Sequence, residues 1–323
     1  MSDMAVRLSG VTKTFGATVA VKDLDLAVPR GGLWGFIGPN GAGKTTTIRM
    51  IMAIMFPDRG AIEVLGRSSA TEAKDRIGYL PEERGVYKKM RVGAFLAYMA
   101  RLKGYDGDGV RRRVREWLER VGLGHVEKAR CEELSKGMQQ KIQFISTVIH
   151  EPELLILDEP FSGLDPVNMR LLRDLVQEQH QRGATILFST HVMAQAEHLC
   201  DHVLMIHRGE KVLDEAPADI RRRFDPHTLE LEPLDPEARP ESLESLDVVR
   251  AVTRRGNAWE VSLEPEADVR AAIPAVVARV PAARVELRRP SLEDVFVQLV
   301  ASSGDGAEGL SVADLRNGGE VAS

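Results

Sequence analysis

The stretch "LWGFIGPNGAGKTTTIRMI", from Leu33 to Ile51, constrains this chain more than any other part of it. An apolar run of strand length leads straight into a glycine-rich turn, and the turn opens into a segment with helical spacing. Gly38, four residues, Gly43, Lys44 and Thr45 reproduce the phosphate-loop pattern in the context it requires, after a buried strand and before a helix. Gly38, Asn40, Gly41 and Gly43 would let backbone N–H groups wrap the phosphates, with Thr46 at the start of the helix. Lys44 would bridge the β- and γ-phosphates, and the Thr45 hydroxyl would bind Mg²⁺. A nucleoside triphosphate is the implied ligand.

A second apolar run, "ELLILDEP", supplies what the loop lacks. Four apolar residues of a central strand would deliver Asp158 to its C-terminal edge, where open α/β sheets bind ligands. Asp158 is expected to hold Mg²⁺ through water, and Glu159 to polarise the attacking water. Alone, an Asp-Glu pair after a strand is more often a helix-capping turn; paired with a phosphate loop it reads as catalytic.

The pattern around these two runs sets the architecture. Short strands precede the loop, and strand "RIGYLP" ends at Pro81. From about residue 90 to 150 the periodicity is helical, and strands return with "ELLILDEP", "ATILFST", "HVLMIH" and "KVLD". The phosphate-loop helix is expected to run on through "MIMAIM". An α/β core with a mostly parallel sheet, interrupted by an all-helical insert, is implied over residues 1–218. Pro217 to Pro236 is expected as a linker. Residues 219–300 read as a small α+β module of split βαβ type, and the Gly-, Ser- and Asp-rich stretch 301–323 as a disordered tail.

One stretch has no phosphate of its own. "ELSKGMQQKIQ" opens a helical run in which Ser135 is a good N-cap and Gly137 bares the backbone, so its first turn offers N–H groups to an anion. Read by itself, Ser135 is merely a cap.

Composition narrows the setting. A net charge of −5 removes the electrostatic case for nucleic acid. The clusters Arg111, Arg112, Arg113 and Arg115, and Arg221 to Arg223, read as solvated helix faces. Two cysteines, Cys131 and Cys200, rule out a disulfide framework and suit a reducing compartment. The N-terminal residues lack a secretory pattern, and no apolar run approaches the ~20 residues needed to span a bilayer. Work at a membrane would therefore go through a partner. His198, Cys200 and His202 have tempting spacing, but no acidic or Cys cluster follows, and a solvated helix end is expected rather than a metal.

Together, "GPNGAGKTT", "LSKGMQQ", "LLILDEP", "SGLD" and "STH" resemble, in order and spacing, the motifs of the ATP-binding cassette proteins over roughly residues 4 to 218. The module ending in "SLEDVFVQLV" resembles the extension on ATPase subunits of two-component exporters, including sodium- and drug-extruding types. The resemblance implies a P-loop NTPase core of RecA-like α/β type with an inserted all-helical subdomain, ATP and Mg²⁺ as ligands, and ATP hydrolysis coupled to transport. It implies two partners, a separate transmembrane permease and a second cassette of the same or another chain, at the cytoplasmic face of the cell membrane. In that family each ATP lies between the phosphate loop of one cassette and the signature stretch of the other. Ser135 and Gly137 would thus face the partner's γ-phosphate.

By the same resemblance Phe15 stacks on adenine, His191 contacts the γ-phosphate, and Asp165 communicates across the dimer while also serving as a helix N-cap. The chain departs from the family at three positions. Glu82 stands where Gln is usual, near the Mg²⁺ shell, and Lys136 and Met138 replace the commonest residues of the signature. The competing reading is a soluble cassette ATPase acting on ribosomes or DNA. A single phosphate loop and the absence of a long coiled coil between Lys44 and Ser135 count against it.

Overall fold

The computed structural model describes residues 4–83, 85–107, 109–224, 227–235, 237–239, 241–288 and 290–302. It divides into two compact units, Met1–Pro217 and Ala218–Ser323. The expected disordered tail lies outside the described residues, apart from Ala301 and Ser302. Among the described residues no helix is long and apolar enough to cross a membrane.

The first unit opens with β1 (Met4–Phe15), β2 (Thr18–Pro29) and β3 (Leu33–Ile37), then α1 (Lys44–Ile51), β4 (Arg59–Val64) and β5 (Ile77–Leu80). The helical insert holds α2 (Val92–Leu102), α3 (Gly109–Arg120) and α4 (Lys136–Val148). Next come β6 (Leu154–Asp158), α5 (Pro166–Gln181), β7 (Thr185–Thr190), α6 (Met193–Leu199), β8 (His202–His207) and β9 (Glu210–Glu215). The central sheet runs β5-β6-β7-β3-β8-β9, parallel except for its β8–β9 edge. Every residue of β3, β6 and β7 is buried, as parallel strands covered on both faces require. A three-stranded antiparallel sheet, β2-β1-β4, packs beside it, and Val6, Leu8, Phe36, Ile48 and Leu204 belong to one apolar cluster. The sheet order brings the C-terminal ends of β3, β6 and β7 side by side.

Two local expectations are corrected. The phosphate-loop helix stops at Ile51 instead of continuing through Met55. The Ile54 and Met55 N–H groups both return to the Arg49 carbonyl, Ala53 takes φ 53, and Ile54 and Phe56 end up exposed. Nor is Pro217 to Pro236 a plain linker. It contains α7 (Pro217–Arg223), whose Ile220 is buried, and β10 (Thr228–Pro233). Alternation inside charged flanks makes the strand: Leu229 and Leu231 point inward while Glu230 and Glu232 stay exposed.

The second unit continues with α8 (Glu241–Glu244), β11 (Val249–Arg255), β12 (Ala258–Leu263), α9 (Val269–Arg279), β13 (Ala282–Arg288) and α10 (Leu292–Ser302). From β10 to β13 the order is β-α-β-β-α-β. The sheet, β11-β12-β10-β13, is antiparallel at every pairing. Trp259, Leu231 and Val261 from the sheet join Ala272 and Val276 from α9 in a core of its own.

Candidate functional site

Two glycines shape the loop between β3 and α1 for reasons no side chain could satisfy. At Gly38, φ is 155 and a Cβ would lie 2.2 Å from the Ile206 carbonyl oxygen. At Gly43, the left-handed N-cap of α1, φ is 107 and a Cβ would lie 2.4 Å from the Ala20 carbonyl oxygen. Beside this loop lies a cleft of about 330 Å³ lined by Ala20, Asn40, Gly41, Gly43, Lys44, Thr45, Thr46, Glu82 and Glu159. The first turn of α1 leaves backbone N–H groups without intrahelical partners, the right field for a phosphate.

Lys44 is buried, and its Nζ donates to the carbonyl oxygens of Gly38 at 2.8 Å and Pro39 at 3.1 Å. It also lies 4.0 Å from Glu159 Oε1. Burial lowers its pKa, opposed by the charges of Glu159, Asp158 and Glu82. Asp158, buried at the end of β6, accepts from the Ser189 hydroxyl and, at 3.4 Å, from Thr45, both at Oδ1. Burial raises its pKa against those two hydrogen bonds. Its Oδ2 is buried with no hydrogen-bond partner among the described residues. Glu159 follows at φ 48, and its Oε1 meets His191 Nδ1 at 2.9 Å.

These side chains suit a hard divalent cation. The available donors, Thr45 hydroxyl, Asp158 carboxylate and Glu82 carboxylate, are all oxygen, and the unpartnered Asp158 Oδ2 is the buried atom such a cation's water shell would satisfy.

Ser135, Gly137 and Asp165 do not line this cleft. Ser135 caps α4, accepting from the Met138 N–H at 3.3 Å. Asp165 caps α5 through the N–H groups of Val167 and Asn168, each at 3.0 Å, and those donors, Asn168 foremost, hold its carboxyl below the usual range. The two caps are neighbours, since a Cβ on Gly137 would lie 3.2 Å from Asn168 Nδ2. Phe15 ends β1 half-exposed, outside the cleft lining, with Lys13 Nζ 5.6 Å from its ring centroid.

The chain's likeness to known proteins agrees with this arrangement. The ABC transporter family pattern matches residues 21–162. The ABC transporter ATP-binding protein YhaQ of Bacillus subtilis is 49% identical over 214 residues, 66% of this chain and 72% of its own length. The chain belongs to the ABC transporter ATP-binding proteins. A second pattern of the same kind, the C-terminal domain of DrrA1-3-like ATP-binding proteins, matches residues 216–300. The daunorubicin/doxorubicin resistance ATP-binding protein DrrA of Streptomyces peucetius is 29% identical over 309 residues, 93% of this chain and 94% of its own. A solved ATP-binding subunit of an ABC transporter superposes with a TM-score of 0.64 at 34% identity, over 68% of this chain and 93% of that one.

Sequence reading passed over two residues that hold this arrangement in place. Ser189 looks like any small residue of an apolar strand until β7 is paired with β6. Gln143 on α4 donates to the carbonyl oxygens of Pro81 at 3.5 Å and Glu83 at 3.1 Å, gripping the segment that carries Glu82. Two outlying readings change. His198 and His202 share no helix face, because α6 ends at Leu199. His202 instead opens β8, stacked on Trp34 and 2.8 Å from Asp214 Oδ1. Arg113 is no solvated residue: its Nε donates to the Ile149 carbonyl at 2.6 Å and its Nη2 pairs with Glu151 at 2.7 Å.

Proposed function

We propose that this ABC ATP-binding subunit hydrolyses Mg²⁺-bound ATP at a site shared between two cassettes and powers an exporter through a separate permease at the cytoplasmic face of the membrane. The single observation that carries the chemistry is the Lys44–Glu159–His191 chain of contacts at the phosphate loop. Bound Mg²⁺ would supply charge neutralisation on the β- and γ-phosphate oxygens, held by Thr45 and Asp158 with Glu82 at its water shell.

This chain's own residues do the rest. Lys44, tied in place by the Gly38 and Pro39 carbonyls, offsets charge on the transferring group, as do the N–H groups that open α1. Glu159 orients the attacking water and takes its proton as the new P–O bond forms and the bond to the β-phosphate bridging oxygen breaks, releasing ADP and phosphate. His191 holds Glu159 Oε1 and reaches toward the γ-phosphate. Phe15 stacks on adenine. Ser135 and Gly137 act on the other cassette's nucleotide, which fits their absence from this chain's cleft lining. DrrA's name and the DrrA-like second unit support export over import. A groove lined by Tyr87, Lys88, Lys89, Met90 and Tyr98, on the helical insert and the loop leading into it, supports a permease contact there.

The test is a tagged Glu159→Gln protein expressed in its own cells. It should bind ATP, turn over at least about a hundredfold more slowly, and bring one multi-span membrane protein with it from detergent-extracted membranes. Recovery with ribosomes or DNA-associated proteins would reassign the ATPase, and normal turnover would remove Glu159 from its role.

A further inference from the structure

We propose that Ser189 is the positioning residue of the ATP site: it selects which oxygen of Asp158 is offered to the nucleotide's cation and fixes the backbone that aims Glu159. The proposal rests on the ATPase reading above.

Parallel pairing of β6 with β7 sets Asp158 directly opposite Ser189, and Ser189 is fully buried. Its hydroxyl has one proton to give, and gives it to Asp158 Oδ1. Thr45 reaches the same oxygen from 3.4 Å, so Oδ1 is engaged by two hydroxyls and Oδ2 by none among the described residues. The carboxylate therefore has a committed end and a free end. Were the Ser189 hydroxyl removed, Asp158 could turn about its side-chain torsions, and the long Thr45 contact is a weak substitute.

The lone pairs of the same hydroxyl act on the next residue. Glu159 N–H points to Ser189 twice, to the carbonyl oxygen at 3.1 Å and to Oγ at 3.3 Å. Glu159 sits at φ 48, in the left-handed region that a residue with a Cβ keeps only when its surroundings over-determine it. Ser189 supplies both acceptors for that peptide. One side chain on the strand between β6 and β3 thereby couples the orientation of Asp158 to that of Glu159, without touching nucleotide itself.

The experiment compares wild type, Ser189→Ala and Ser189→Thr in the full chain. Fluorescent ATP binding is measured in EDTA, Mn²⁺ affinity of the ATP complex by electron paramagnetic resonance, and hydrolysis as kcat and KM. For Ser189→Ala, metal-free ATP binding should stay within about twofold, since the phosphate loop is untouched. Mn²⁺ affinity and kcat should each fall about tenfold or more with KM for ATP little changed, and Ser189→Thr should restore both. Unchanged Mn²⁺ affinity in Ser189→Ala overturns the proposal. So does a loss of metal-free ATP binding as large as the loss of Mn²⁺ affinity, which would mark a structural role, and so does a Thr variant that behaves like Ala. Failure of the wild-type chain to bind ATP would instead sink the ATPase reading on which the proposal stands.

Discussion

Among the described residues lining the cleft Lys44 is the one cation, and it shares that lining with the carboxylates of Glu82 and Glu159, while Asp158 lies just behind. Among these side chains a triphosphate entering without a metal would meet more negative charge than positive, and a divalent ion would then serve binding as well as chemistry. Replacing Glu82 by Gln should tighten ATP binding in EDTA by about fivefold, with a smaller change when Mg²⁺ is present. Titration of a fluorescent ATP analogue under both conditions checks this. Equal affinities of wild type and variant in EDTA would mean that Glu82 does not face the phosphates. At this scale the sequence was legible where spacing is local. Gly38 to Thr45 lie in one loop, and Asp158 and Glu159 end one strand. Ser189 was illegible because its partners come from a neighbouring strand, and strand register is a non-local property.

Among the elements, α4 joins the parts. Ser135 caps its start; Gln140 donates to the Pro160 carbonyl at 3.2 Å, next to Glu159, and Gln143 grips the Glu82 segment. Beyond its C-terminal end His150 donates through Nε2 to the Ile77 carbonyl at 3.2 Å, which Lys103 also engages at 2.9 Å. Arg113 ties α3 to the same corner. Burial, with the charge of Lys103, lowers the His150 pKa to about 4, the Ile77 hydrogen bond, Asp75 and Arg113 acting more weakly. In the unfolded chain His titrates near ~6.5, so between these values the unfolded state binds more protons and stability rises with pH. The contribution is complete above the unfolded value and is lost as pH falls toward the folded one. Between pH 7 and pH 5 the wild type should lose about 2 kcal/mol more than His150→Gln. Urea unfolding of both proteins at the two pH values measures the difference, and parallel losses would refute it. The helical insert was legible from its period, but this anchoring was not. It depends on two side chains distant in sequence, Lys103 and His150, reaching one carbonyl at the start of β5.

Over the whole molecule, the candidate site residues of the described chain fall into two clusters, only one of which lines the cleft. Lys44, Thr45, Glu82 and Glu159 line a cleft; Ser135, Gly137 and Asp165 sit together at the N-termini of α4 and α5, outside its lining. Each is half of a site if two chains face each other head to tail, and the second half was legible only through the family resemblance, because a serine cap looks the same whether or not a phosphate faces it. Ser135→Arg should leave ATP binding by the isolated chain within about twofold, since no Ser135 atom touches the cleft, yet reduce hydrolysis by at least about a hundredfold, as a bulky cation displaces the cap from the partner's γ-phosphate. Lys44→Ala should fail for the opposite reason. A mixture of the two variants then decides between a shared site and a fold defect. In the mixed dimer, the phosphate loop of the Ser135→Arg chain meets the intact signature of the Lys44→Ala chain, so one complete site forms and part of the hydrolysis returns. If the mixture stays as inactive as its components while both variants fold and dimerise, the two clusters do not complete each other across chains.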